Sequence, residues 1–258
     1  MSTIIYPSPI FGPIHSRRLG ISLGINLLPA GGKWCSFDCI YCECGLNAER
    51  RTHNPLPTIA EVEKALTEKL LSMQAEGVVP DVLTFAGNGE PTLHPHFPEI
   101  VSAVTTVRDN LCPSARLSIL SNATQIHRPE IREALLRFDN NIQKLDTVNP
   151  QYISMVDRPQ GAYDVERQIE NLALFGGKVI IQTLFMRGIY NNVSVDNTGE
   201  TFVGPYLEAL KRIRPQRVMI YTIDRETPVK GLLKAQPEVL DHIADQIRLN
   251  GMEVSVSY

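Results

Sequence analysis

The chain has 258 residues, 43% of them hydrophobic and 21% charged, and a formal net charge of −3. That length can bury one sizeable core, and the acidic balance excludes a surface-wide attraction to nucleic acid, leaving Arg17–Arg18 as a small local basic candidate. No run approaches the roughly 20 apolar residues of a membrane helix and the first residues lack the pattern of a secretory leader, so a cytoplasmic protein with no membrane partner is expected.

In chain order, short runs rich in β-branched and aliphatic residues occur at 21–28, 81–87, 115–121, 142–148, 178–186, 217–223 and 252–257. They are too short for buried helices and read as strands. Amphipathic stretches lie between them. The first, introduced by Pro57–Thr58, puts Val62, Leu66, Leu70 and Met73 on one helical face; others cover 96–109, 129–138, 164–175, 199–213 and 236–250. Strands alternating with helices imply βαβ units and a parallel sheet. The expected fold is α/β, a partial (β/α) barrel of about six units forming one domain over 1–258, with a doubly wound open sheet as the competing architecture. In either, functional groups gather at the carboxyl ends of the strands.

The segment after the 21–28 run reads KWCSFDCIYCECG, so Cys35, Cys39 and Cys42 are spaced CxxxCxxC. Chance gives such a triplet in roughly 0.002 of chains with this cysteine content. Five cysteines, four of them crowded between 35 and 44, are no disulfide framework; they point to metal or redox chemistry. Zinc is one reading, with Cys44 as fourth thiolate. Against it, no second CxxC-type knuckle appears, and the soft-thiolate spacing favours an iron–sulfur cluster. Three thiolates on four irons leave one iron open.

Other strand ends carry polar groups. FAGNGEPTLHP closes the 81–87 run: Gly87 and Gly89 allow close backbone approach to a ligand, and Glu90 can accept from an ammonium group. Ser121–Asn122 closes the next run and also reads as a polar turn or helix cap. Lys144 and Asp146 share one face of their strand, as ligand contacts or as a structural ion pair. Gln182 interrupts an apolar run and is expected to face the barrel mouth. Tyr221, Thr222, Asp224 and Arg225 read as substrate-side residues or loop surface. His94 and His96 read as a helix-start loop rather than a metal site, and Cys112 as a buried or loop thiol.

CxxxCxxC with Tyr41 before its last cysteine resembles the signature of the radical S-adenosylmethionine (SAM) superfamily. The resemblance implies a 4Fe-4S cluster on Cys35, Cys39 and Cys42 whose open iron chelates the amino and carboxylate groups of SAM. It implies reductive cleavage to methionine and a 5'-deoxyadenosyl radical that abstracts hydrogen from a substrate. GNGEP is similar to the superfamily's Gly-Gly-Glu motif, with Asn88 at the first glycine, and Ser121–Asn122 matches where SAM carboxylate or ribose contacts are placed. Tyr41, Gly87, Asn88, Gly89, Glu90, Ser121, Asn122, Lys144, Asp146 and Gln182 are the cofactor-binding candidates that follow. Implied partners are a small-molecule, peptide or RNA substrate and an electron donor such as flavodoxin or ferredoxin. Longer strings, FGPIHSRRLGISLGINLLP, AGNGEPTLHPHF, RPQGAYD, IIQTLFMRG and IYTIDRETP, resemble the wyosine-base-formation-related Fe–S oxidoreductases. Two alternatives stand beside the radical enzyme: a Zn or Fe–S module without SAM chemistry, and a tRNA wyosine-type base-modifying enzyme.

Overall fold

The computed structural model describes residues 3–16 and 20–258, so Arg17 and Arg18 lie outside the described residues. The chain opens with a β-hairpin, β1 (Ile10–Ser16) and β2 (Gly20–Ile25), followed by α1 (Ile59–Ala75), β3 (Val82–Phe85), α2 (Phe97–Leu111), β4 (Arg116–Ser121), α3 (Pro129–Leu135) and β5 (Asn140–Lys144). A short α4 (Pro150–Tyr152) runs into a π turn (Ile153–Asp157), then come α5 (Val165–Ala173), β6 (Ile180–Leu184), β7 (Met186–Tyr190), β8 (Val193–Ser194), α6 (Glu200–Ile213), β9 (Arg217–Tyr221), β10 (Leu232–Lys234), α7 (Pro237–Leu249) and β11 (Val254–Ser257).

The main sheet has the order β1-β2-β3-β4-β5-β6-β9-β11. All its pairs are parallel except β1–β2. β1 and β11 are its two edges, so the barrel is partial and open. Alternation sets its two faces. Leu23, Ile25, Leu83, Phe85, Leu117, Ile119, Ile181 and Val218 are buried in the main core with the helices. The other face is more polar: Ser22 and Thr84 hydroxyls pair at 2.9 Å across β2–β3, while Ile142, Ile180 and Met219 form a separate small apolar cluster.

Helix α1 shows how local sequence sets an element. The Thr58 hydroxyl accepts from the Glu61 amide and the Glu61 carboxylate accepts from the Thr58 amide, a reciprocal cap that fixes the helix start. Its face of Val62, Leu66, Leu70 and Met73 is buried. A small second sheet, β10-β7-β8, exposes Ile189, Val193 and Leu233. Among the described residues, no helix is long and apolar enough to cross a membrane.

Candidate functional site

After β2 the chain enters the cysteine loop, and backbone hydrogen bonds pin that loop at both ends. At one end the Trp34 amide donates to the Asn88 carbonyl at 2.9 Å and the Glu90 amide donates to the Trp34 carbonyl at 3.1 Å, forming a parallel bridge between Trp34 and Gly89. Gly89 sits at φ 131°, and a Cβ there would stand 1.9 Å from the Trp34 carbonyl oxygen, so only glycine lets the two segments meet. At the other end the amides of Asp38 and Ile40 donate to the carbonyls of Asp157 and Val156, and the Gln160 amide donates to the Ser36 carbonyl. Ile40 is fully buried against Tyr152, Val156, Leu184 and Met186, which anchors the loop over the strand ends. The cysteines and the turn after β3 therefore share one rim.

Gly87 shows the same logic, since its added Cβ would meet the Asn26 side chain at 2.7 Å. The close approaches that both glycines permit are to protein. Asn88, expected to point at a cofactor, instead turns to the N-terminal segment. Its Oδ1 accepts from the Tyr6 amide at 2.8 Å and its Nδ2 donates to the Tyr6 carbonyl at 2.9 Å. The amide thus pairs with Tyr6 as a strand neighbour does, which explains a side chain where the Gly-Gly-Glu pattern has none.

Glu90 is 1% exposed and ties the ends of β3 and β4 together. Its Oε1 accepts from the Thr92 amide, the Thr92 hydroxyl and the Ser121 hydroxyl, and its Oε2 from the Asn122 amide at 2.6 Å. Burial pushes its carboxyl above the usual carboxylate range, and the donors from Thr92, Asn122 and Ser121 oppose that shift. Oε2 keeps a lone pair with no other donor among the described residues. Asn122 joins this carboxylate to the cysteines: its Nδ2 donates to Ser36 Oγ at 3.0 Å and lies 3.5 Å from Cys35 Sγ.

A second group forms at the end of β5. Lys144 Nζ contacts Asp146 and lies 2.6 Å from Asp157 Oδ1, and the Tyr41 hydroxyl donates to Asp146. Burial alone would depress the lysine, but the two carboxylates hold it well above its ordinary value. Burial pushes Asp157 up to about 6, against the pull of Lys144. Lys144 also lies 5.4 Å over the Phe37 ring and 5.5 Å over the Tyr41 ring. Gln182 is half-buried and in register with Lys144. Asp157 escaped the sequence reading because it lies in a π turn, outside any strand periodicity.

The expected substrate-side residues divide. Tyr221 packs with Tyr41 against the Ile40 cluster. Thr222 is buried and accepts from the Ala235 amide, a structural role. Asp224 and Arg225 make exposed ion pairs with Lys234 and Glu43. His94 uses both ring nitrogens, accepting from the His96 amide at 3.1 Å and facing the Pro57 carbonyl at 2.9 Å, so it has none to offer a metal. Cys112 is buried at the end of α2.

The three thiols feel one another and a buried cation. Burial pushes Cys35 up to about 12 and Cys39 well above the ordinary thiol value. Cys42 is held down to about 6 by a hydrogen bond with Cys44, aided by the Lys33 ammonium. Cys44 is buried, with its Sγ 3.4 Å from the Gly87 carbonyl oxygen. Among the described residues, no three His, Cys, Asp or Glu side chains gather as tightly as a single metal ion requires. A tetrahedral zinc draws four donors to one point, whereas a cube of four irons holds three thiolates at separate corners. The donor set fits the cube: three soft sulfurs on a loop pinned at both ends, a buried ammonium on the Gly45 carbonyl of that loop, and a fourth thiol shared between Cys42 and the Gly87 carbonyl.

No family model matches the chain. It is 30% identical over 235 residues to the UPF0026 protein of Helicobacter pylori strain J99, covering 90% of this chain and 71% of that protein. The chain belongs to the UPF0026 family. A UPF0026 protein of Methanocaldococcus jannaschii is likewise 30% identical, over 90% of this chain and 69% of its own length. Among solved structures, a radical SAM methyltransferase from Sphaerobacter thermophilus superposes with a TM-score of 0.67 at 15% identity, over 92% of this UPF0026 chain and 66% of its own. SuiB of Streptococcus suis, bound to S-adenosylmethionine, superposes at 0.61 and 15% identity, covering 90% of this chain and 50% of SuiB. Archaeal TYW1 does so at 0.54 and 13% identity, over 89% and 72%. At these identities the likeness is one of fold, and this UPF0026 chain has the partial TIM barrel of radical SAM enzymes.

Proposed function

We propose that the chain, read as one domain, is a radical SAM enzyme in chemistry as well as in fold. In this reading Cys35, Cys39 and Cys42 hold a 4Fe-4S cluster, and SAM binds at the rim beside it. When bound, the cluster supplies the electron that cleaves the sulfonium of SAM to methionine and a 5'-deoxyadenosyl radical, which takes hydrogen from the substrate. The observation that carries the reading is Asn122, whose backbone amide holds Glu90 Oε2 while its side-chain amide reaches Cys35 Sγ. A carboxylate able to accept from the methionyl ammonium thereby stands one residue away from a cluster ligand.

The surrounding residues have corresponding tasks. Ser121 and Thr92 saturate Glu90 Oε1, which leaves Oε2 as the oxygen that meets the ligand. Asp146 and Asp157 neutralise Lys144 and fix it over Phe37 and Tyr41, so it positions a ligand through hydrogen bonding rather than as a free cation. Gln182, in register beside it, is the neutral donor and acceptor on the same face. Cys44 stays off the metal, which leaves the fourth iron for SAM and separates this reading from a structural zinc module.

The experiment is spectroscopic. Anaerobically reconstituted, reduced protein is examined by electron paramagnetic resonance with and without SAM. A four-iron signal that SAM perturbs supports the reading. An intact cluster whose signal ignores SAM removes the cofactor from the account.

A further inference from the structure

Lys33 is among the most deeply placed charges in the chain, its side chain 1% exposed. A buried ammonium keeps its charge only where anions or good acceptors surround it. One acceptor is the Gly45 carbonyl, 2.7 Å from Nζ, at the far end of the cysteine loop. The nearest carboxylate, Asp38, is 3.9 Å away, and its other oxygen lies 3.2 Å from the Arg158 guanidinium. Asp38 is therefore shared, and it does not by itself account for a second cation at this depth. The Gly45 amide in turn donates to the Cys42 carbonyl at 2.9 Å, so the ammonium is tied to the end of the loop that carries Cys35, Cys39 and Cys42.

We propose that Lys33 is a positioning residue for electron entry: its ammonium, bonded to the Gly45 carbonyl at the end of the loop that carries the three cysteines, sets the reduction potential of the cluster those cysteines would hold. The inference rests on the functional reading above and deepens it. A cluster gains one negative charge on reduction, and hydrogen bonds and fixed charges at its sulfurs move its potential. A cation beside the sulfurs stabilises the reduced state and raises the potential; a nearby carboxylate does the reverse. Lys33 and Asp38 therefore act with opposite signs on one centre. Lys33 also straps the loop through Gly45, so assembly and potential must be read separately.

The test uses the full chain, reconstituted anaerobically, with iron and sulfide measured before each redox titration followed by electron paramagnetic resonance without SAM. Lys33→Met should lower the midpoint so that the reduced-to-oxidised ratio at a fixed potential falls at least about tenfold, which is 59 mV for one electron. Lys33→Arg, which keeps the charge, should stay nearer the parent than Lys33→Met. Asp38→Asn should shift the midpoint upward. A Lys33→Met protein with a full cluster and an unmoved midpoint overturns the inference, as do Lys33→Met and Asp38→Asn shifts of the same sign. If Lys33→Met loads no iron, Asp38→Asn carries the test: an upward shift supports the inference and an unchanged or lower midpoint overturns it. A parent that binds no iron and sulfide overturns the functional reading as well, so the two failures are distinguishable.

Discussion

Replacing Glu90 by alanine removes the acceptor for four buried donors at once. The hydroxyls of Thr92 and Ser121 can rotate toward other acceptors, but the backbone amides of Thr92 and Asn122 cannot. Each buried donor left unpaired costs about 1–3 kcal/mol, so the two amides together cost roughly 2–6 kcal/mol. Relief of the burial that raises the Glu90 carboxyl offsets part of this, placing the net loss at about 2–4 kcal/mol. At about 2–4 °C per kcal/mol for a chain of this size, melting should drop by roughly 4–16 °C. Glu90→Gln keeps one carbonyl acceptor but must set an amide donor against either the Asn122 amide or the Oε1 donors, and it should fall between the two. The assay is thermal melting by circular dichroism on metal-free protein, which reads the hydrogen-bond network without cofactor. A Glu90→Ala melting point within about 1 °C of the parent, at most half the shift expected for one kcal/mol, refutes the network. SAM affinity should then fall in both variants, and Glu90→Gln, which perturbs the fold less, reports the ammonium contact more directly.

Gly89→Ala sets a Cβ 1.9 Å from the Trp34 carbonyl at a φ of 131°, so the bridge to the cysteine loop must open. We expect a loss of about 3 kcal/mol or more together with reduced iron loading; unchanged melting and full iron content contradict this. His94 is buried and hydrogen-bonded as a neutral ring, with its proton affinity lowered by burial. A folded value below the unfolded one means its stability contribution is present above about pH 6.5 and is lost as pH falls through the lower folded value. The stability of the parent should therefore fall on acidification toward about pH 5 more steeply than that of His94→Gln, and parallel curves would show the ring titrating freely. Cys44→Ala should keep the iron, sulfide and SAM response of the parent, because the thiol faces the Gly87 carbonyl; loss of metal would return Cys44 to the ligand set.

The parallel strands and main helices were legible because each carries its own local signal. The β-branched runs became β2, β3, β4, β5, β6, β9 and β11, and the Val62–Met73 face is buried as its spacing demands. What escaped the sequence depends on distant partners. β1 contains a proline and gains its strand character by pairing with β2. The run at 178–186 reads as one strand, yet the chain leaves the main sheet at Phe185 and β7 pairs with β10 instead. At the site, residue types were readable and their attachments were not. Glu90 was seen as a ligand acceptor, but the donor that orders its Oε2 lies 32 residues on, at Asn122. Asn88 looked like a departure from a glycine pattern until Tyr6, 82 residues earlier, supplied its partner. Lys33 had no periodicity to mark it, and only the folded loop shows its ammonium on the Gly45 carbonyl at the far end of the cysteine loop.

We propose that the rim joining Cys35, Asn122 and Glu90 is built for SAM cleavage. The most direct measurement is chromatography of the products formed when reduced, reconstituted protein is incubated with SAM, beside the Cys35→Ala, Cys39→Ala and Cys42→Ala variants. The parent should release 5'-deoxyadenosine and methionine in equal amounts, slowly even without substrate, and the three variants should release neither. Intact SAM, or S-adenosylhomocysteine alone, from a parent whose cluster is confirmed would contradict it.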